Sequence, residues 1–95
     1  MTEYARESVL QEVLQMLRQL AGDWGYDGDI AEETWLFADL GFQSLDAVVL
    51  GNALQDRLGR PIPYGDLLAE IGQRDPQDVT VAEWVDFTLQ HLNRA

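Results

Sequence analysis

Few residues among the 95 have side chains suited to chemistry. There is no cysteine, which removes disulfides, thiolate metal ligands and a thiol nucleophile. The one histidine, His91, falls off the apolar stripe of the last helical pattern. It is expected to be a solvated surface residue, because a lone histidine makes a poor ligand set or base. Asp23, Asp27 and Asp29 crowd one segment but lack the glycine at position six and the glutamate at position twelve of an EF-hand loop. With Trp24 and Tyr26 between them they read as a solvated loop, and no metal site is expected. That leaves Ser44, in the run Asp39-Leu40-Gly41-Phe42-Gln43-Ser44-Leu45-Asp46. Gly41 permits a tight turn, and helical periodicity starts directly after it. Ser44 therefore stands at a helix N-terminus, where free backbone N–H groups and the macrodipole favour an anion such as a phosphodiester. The same position suits an ordinary N-cap, worth about 1 kcal/mol. No histidine or lysine lies close in sequence to act as a base, so a small hydrolase built on Ser44 is set aside. Any activation of the hydroxyl should come from a partner enzyme.

The elements that must position Ser44 are helical. Leu10, Val13, Leu14, Leu17, Leu20 and Ala21 recur at the spacing of one helix face, with Glu12, Gln15, Arg18 and Gln19 opposite and Gly22 as a stop. Residues 22–43 form a long connection, broken by glycines and aspartates and fastened by Trp24, Tyr26, Ile30, Trp35, Leu36 and Phe37. A helical turn near Glu32 to Phe37 is expected within it. From Ser44 onward, Ala47, Leu50, Gly51, Leu54 and Leu58 share an arc that ends at Gly59, before Pro61 and Pro63. A short third helix fits Gly65 to Ile71, and Asp75-Pro76 signals a turn. Thr80-Val81-Ala82-Glu83 matches a capping box and opens a stripe of Val81, Val85, Thr88, Leu89 and Leu92. No segment alternates with a period of two. The expected fold is all-α: a small four-helix bundle of three main helices and one short helix, with a long first loop, forming a single domain over residues 1–95.

The second helix carries more apolar surface than one buried face needs. Leu45, Val48 and Val49 share a second arc with Ser44, Asn52 and Gln55. Either the long loop covers this arc or it is an apolar docking patch beside Ser44. The 17 acidic and 6 basic residues give a formal net charge of -11. Such a surface repels nucleic acid and anionic lipid and draws partners with basic patches, an attraction that salt weakens; it also serves solubility alone. Trp24, Trp35 and Trp84 read as loop and core anchors, not a base-stacking platform. No apolar run approaches the roughly 20 residues that span a bilayer, and Met1 to Glu7 does not resemble a signal peptide. A cytoplasmic monomer with no nucleic-acid or membrane partner is expected.

These features together resemble the acyl carrier protein family. The resemblance covers the long first loop, the Asp39-Leu40-Gly41-Phe42-Gln43-Ser44-Leu45 motif at the start of helix two, the Pro61-Ile62-Pro63 link and the closing Thr80-Val81-Ala82-Glu83 helix. It implies that Ser44 accepts 4′-phosphopantetheine from coenzyme A through a phosphopantetheinyl transferase. The arm's thiol then holds an acyl group as a thioester, with no catalysis by the carrier. Asp39, Leu40, Gly41 and Leu45 would be motif positions. Leu45, Asp46, Val48, Val49, Asn52, Gln55 and Asp56 would form the docking face for acyl-loading, ketosynthase or tailoring enzymes. The Leu40-Gly41-Phe42 wording is closer to polyketide-type carriers than to peptidyl carriers of non-ribosomal synthesis. An unmodified helical interaction module is the alternative of another class. Two departures stand out. The family often has aspartate before the serine, where this chain has Gln43. Its second helix is commonly rich in glutamate, where this one has only Asp46 and Asp56 as acids, so docking should be more apolar than usual.

Overall fold

A computed structural model describes residues 4–23 and 29–93, with side chains described outside 21–23. The readings of Trp24, Tyr26, Asp27, Gly25 and Gly28, and of the Asp23 side chain, lie outside the described residues. Four helices follow in order: α1 (Arg6–Asp23), α2 (Ser44–Leu58), α3 (Tyr64–Ile71) and α4 (Val81–Leu92). α1 runs one residue past Gly22, and α3 begins one residue earlier than the pattern suggests, at Tyr64.

α1 packs against α4 and α2, and α2 packs against α3. α1 buries Leu10, Val13, Leu14 and Leu17 as its stripe requires, and adds Val9. α2 buries Ala47, Leu50, Gly51 and Leu54. Trp84, fully buried, joins Val81, Val85, Thr88 and Leu92 at the centre of α4's inner face, while Leu58 and Leu89 are half-buried. The α4 start is reciprocal. Thr80 Oγ1 accepts the Glu83 N–H at 3.2 Å, and Glu83 Oε1 accepts the Thr80 N–H at 3.3 Å.

Charged side chains stitch the helices at their rims. Arg6 reaches Glu32 at 2.6 Å and Asp86 at 2.8 Å, Arg74 joins Glu70 and Glu83, and Arg57 of α2 pairs with Glu12 of α1. Each pair is largely exposed and contributes a fraction of a kcal/mol, up to about 1.

Two expectations need correcting. The turn foreseen near Glu32 to Phe37 is split: a short turn at 32–33 is closed by the Thr34 N–H to Ala31 carbonyl bond at 3.2 Å, and a longer one spans residues 36–40, because the chain between them runs beside the start of α4. Thr34 and Glu32 carbonyls there accept the Val81 and Ala82 N–H groups at 3.0 and 2.9 Å. His91 is not a freely solvated residue. It is half-buried, its ring lies 4.4 Å from that of Phe87, and its Nδ1 is 2.9 Å from the Phe87 carbonyl oxygen.

Candidate functional site

The path to Ser44 is fixed residue by residue. The Trp35 carbonyl accepts the Asp39 and Leu40 N–H groups at 3.0 and 3.2 Å, closing the turn. Asp39 reaches back, and its Oδ2 accepts the Trp35 N–H at 2.9 Å. The chain then leaves through Gly41 at φ 73°, in the left-handed region that a side chain disfavours. The Gly41 N–H bonds to the Phe37 carbonyl and the Phe42 N–H to the Leu36 carbonyl, both at 3.1 Å. The first of these bonds, with Gly41 left-handed, is the αL type of helical ending, and Leu36 and Phe42 beside it are both buried.

Gln43 follows in extended conformation (φ −106°, ψ 171°) and occupies the N-cap position of α2. Its N–H donates to Asp46 Oδ2 at 2.8 Å, and its carbonyl accepts the Ala47 N–H at 3.2 Å. Ser44 is thus the first helical residue and not the cap. The alternative of an ordinary N-capping serine is thereby set aside, because Asp46 and Gln43 close the helix end. The Ser44 side chain is exposed and is not used by the fold.

Asp78 holds the turn from behind, and sequence reasoning missed it. This aspartate is 7% exposed, and its carboxylate accepts the N–H groups of Phe37 and Ala38, each at 3.0 Å, and of Val79 at 2.7 Å. The first two partners lie 41 and 40 residues away, so no local pattern reports them. The Leu36 N–H to Val79 carbonyl bond at 3.0 Å adds to the same junction.

The outer arc of α2 is open. Leu45, Val48 and Val49 are 72%, 41% and 43% exposed, so the described part of the first loop does not cover them. Asn52 and Asp56 are exposed beside them. Two residues expected on this face are partly committed elsewhere. Gln55 Oε1 accepts the Ile62 N–H at 2.9 Å and so fixes the α2–α3 link, and Asp46 holds Gln43.

Ser44 borders a cavity of about 340 Å³ whose walls include Phe37, Phe42, Leu68, Ile71 and Gln77. A second, of about 170 Å³, lies along the α2–α3 seam between Val48, Gly51, Ile62, Pro63, Tyr64 and Leu68. Among the described residues no group of acidic or histidine side chains could hold a metal ion. The chain has no lysine. The site can present a hydroxyl beside an anion-favouring helix end, but it holds nothing that would make the oxygen a strong nucleophile.

Among the described residues no helix is long and apolar enough to cross a membrane. The family model described as "phosphopantetheine attachment site" matches residues 11–73, roughly two thirds of the chain, from within α1 to just past α3. No curated protein and no solved structure matches the chain. Domains of the matched family bear a covalent 4′-phosphopantetheine group and are carriers, not catalysts. The chain belongs to the phosphopantetheine attachment site family and is a phosphopantetheine carrier protein.

Proposed function

We propose that the phosphopantetheine is borne by Ser44 and that the carrier serves acyl groups of polyketide or related biosynthesis. The observation that carries the assignment is the exposed, unused Ser44 hydroxyl at the first position of α2. Composition supports it: the chain has two serines, and Ser8 lies outside the matched span, so Ser44 is the one serine within residues 11–73. The surroundings fit the group. A phosphodiester on Oγ would meet the free N–H groups of the α2 N-terminus, and the adjacent 340 Å³ cavity, with Phe37, Phe42 and Leu68 in its walls, gives the arm apolar surface to lie on. When bound, the arm supplies a thiol that holds the cargo as a thioester. The protein's own contribution is to keep that cargo at high effective concentration near a partner's active site.

Acyl rather than aminoacyl cargo is favoured by the Leu40-Gly41-Phe42 wording. Docking by Leu45, Val48 and Val49 is favoured by their exposure on the face that also bears Ser44. A phosphopantetheinyl transferase and loading or condensing enzymes are the corresponding partners, and residues 1–95 act as one carrier domain. Intact mass spectrometry after incubation with coenzyme A and a promiscuous transferase tests the assignment. The expected result is a gain of one phosphopantetheine in the parent chain and none in Ser44→Ala. A gain in Ser44→Ala would move the site, and no gain with several transferases would leave an unmodified interaction module.

A further inference from the structure

The turn ahead of Ser44 is gripped from a distant part of the chain. Asp78 lies on the α3–α4 link, two residues before the Thr80 cap of α4. Its own N–H is held by the Pro76 carbonyl at 3.0 Å, and the residue is buried. Asp78 Oδ1 accepts the Phe37 N–H and Oδ2 the Ala38 N–H, each at 3.0 Å. These donors belong to two consecutive peptide units, Leu36–Phe37 and Phe37–Ala38. The carbonyl ends of the same units accept the Phe42 and Gly41 N–H groups, both at 3.1 Å. A peptide unit is planar and stiff, so fixing its N–H end also aims its carbonyl. Hydrogen bonds linked in this way polarise and strengthen one another. Asp78 therefore sets where Gly41 and Phe42 lie, and Phe42 stands two residues before Ser44. Gln43 carries the path on, since its carbonyl accepts the Ala47 N–H at 3.2 Å in the first turn of α2. After the carboxylate the path runs through backbone atoms and does not use the Ser44 hydroxyl.

We infer that Asp78 is a positioning residue for phosphopantetheine transfer, holding Ser44 for the transferase through two peptide units without touching the serine. A transferase must align the serine oxygen with its bound donor, and a misplacement of about 1 Å in such an alignment can cost about 100-fold in rate. The proposed docking residues Leu45, Val48 and Val49 lie beyond Ser44 on α2, outside this relay. Loss of the carboxylate should therefore leave encounter intact and slow the transfer step. An unfolded fraction acts differently. It dilutes the competent carrier, which raises the apparent KM and leaves kcat unchanged. The two parameters thus separate positioning from stability.

This inference rests on attachment at Ser44, which intact mass of the parent and Ser44→Ala chains reports separately. Initial rates of transfer from coenzyme A by a promiscuous transferase are measured against carrier concentration, with folded fractions read by circular dichroism. Asp78→Ala should lose about tenfold in kcat, with KM within about twofold of the parent. Asp78→Asn keeps one accepting oxygen and should lose about threefold in kcat. Leu92→Ala opens a cavity at the far end of α4, where Leu92 is buried, and serves as the destabilised control with parental kcat. Amide exchange at Gly41 and Phe42 should accelerate more in Asp78→Ala than in Leu92→Ala. A parental kcat in Asp78→Ala would overturn the inference, as would a change confined to KM or an equal fall of kcat in Leu92→Ala. Should Asp78→Ala fail to fold, Asp78→Asn decides on the same readouts. A parent chain that gains no mass would instead fail the attachment at Ser44, and this inference with it.

Discussion

Removing the Asp78 carboxylate should cost this small domain a large part of its stability without touching Ser44. Asp78 is 7% exposed and accepts three backbone N–H groups, two from the turn that delivers the chain to α2. In Asp78→Ala the Phe37 and Ala38 donors lose their acceptor in a site largely closed to water. Each orphaned buried donor costs about 1–3 kcal/mol, and bonds to a charged acceptor lie toward the upper end. Relaxation and incoming water reduce the total, so we expect about 3 kcal/mol from urea unfolding followed by circular dichroism. For a domain of this size that corresponds to a fall of about 12 °C or more in Tm. Asp78→Asn keeps one accepting oxygen and should cost about 2 kcal/mol. Because the loss is local to the junction, amide exchange at Phe37 and Ala38 should accelerate more than exchange at Leu50 or Leu54. An Asp78→Ala chain within about 0.5 kcal/mol of the parent, with unchanged exchange at Phe37 and Ala38, would show that the carboxylate is not the anchor of this turn.

Four further outcomes can be checked alongside. Ser44→Ala should leave stability within about 0.5 kcal/mol, because the cap is made by Gln43 and Asp46; a loss above about 1 kcal/mol in urea would restore the serine as a cap. Gly41→Ala should cost about 1–2 kcal/mol in the same assay, from backbone strain alone, since φ is 73° and the new Cβ would meet nothing within 4 Å. Val48→Asp and Val49→Asp change exposed positions, so Tm should hold while partner turnover falls; normal turnover in both variants would remove the docking face. Burial pushes the Tyr64 hydroxyl from 10.0 up to about 12, with its bond to Thr88 acting in the opposite sense. Above pH about 10 the unfolded chain ionises this tyrosine while the folded chain keeps it neutral. Up to about 3 kcal/mol, complete below pH 10, should therefore be lost between 10 and 12, a loss absent in Tyr64→Phe.

The helices were legible because each has a repeating apolar face. Leu10, Val13, Leu14 and Leu17, or Ala47, Leu50 and Leu54, report their burial through spacing alone. The cap at Thr80 was legible for the same reason, since its partner Glu83 is three residues away. The position of Ser44 at a helix start followed from where periodicity begins, but its exact place did not. Whether a serine or its predecessor caps a helix depends on one backbone dihedral and on which carboxylate turns back. The first loop hid most. Its conformation is set by Asp78, Val79 and the start of α4, about 40 residues on, and hydrogen bonds to backbone atoms leave no trace in residue type. Tyr64 escaped notice because it stands between Pro63 and a short helix, where too few turns exist for a stripe to form. His91 was misplaced for a related reason, since lying off the stripe did not reveal the neighbouring Phe87 ring.

These contacts divide the region between parts that hold and a part that is left free. Gln43 is bonded through both its N–H and its carbonyl, Gly41 and Phe42 are locked to the preceding turn, and that turn is fixed by Asp78. The backbone on the near side of Ser44 therefore has little freedom, while the Ser44 hydroxyl takes no part in the fold. A carrier whose attachment point moved would present its cargo over a wider volume and lose effective concentration at each partner. One whose hydroxyl were needed as a cap would give up stability on modification. With Asp46 and the Gln43 backbone closing the helix end instead, an arm on Ser44, as proposed, would start from a rigid point and cost the fold little. Flexibility would then begin at the ester oxygen, and on that basis the unfolding free energy of the loaded carrier in urea should be no lower than that of the unmodified chain. A drop of more than about 1 kcal/mol on loading would mean that the hydroxyl was supporting the helix after all.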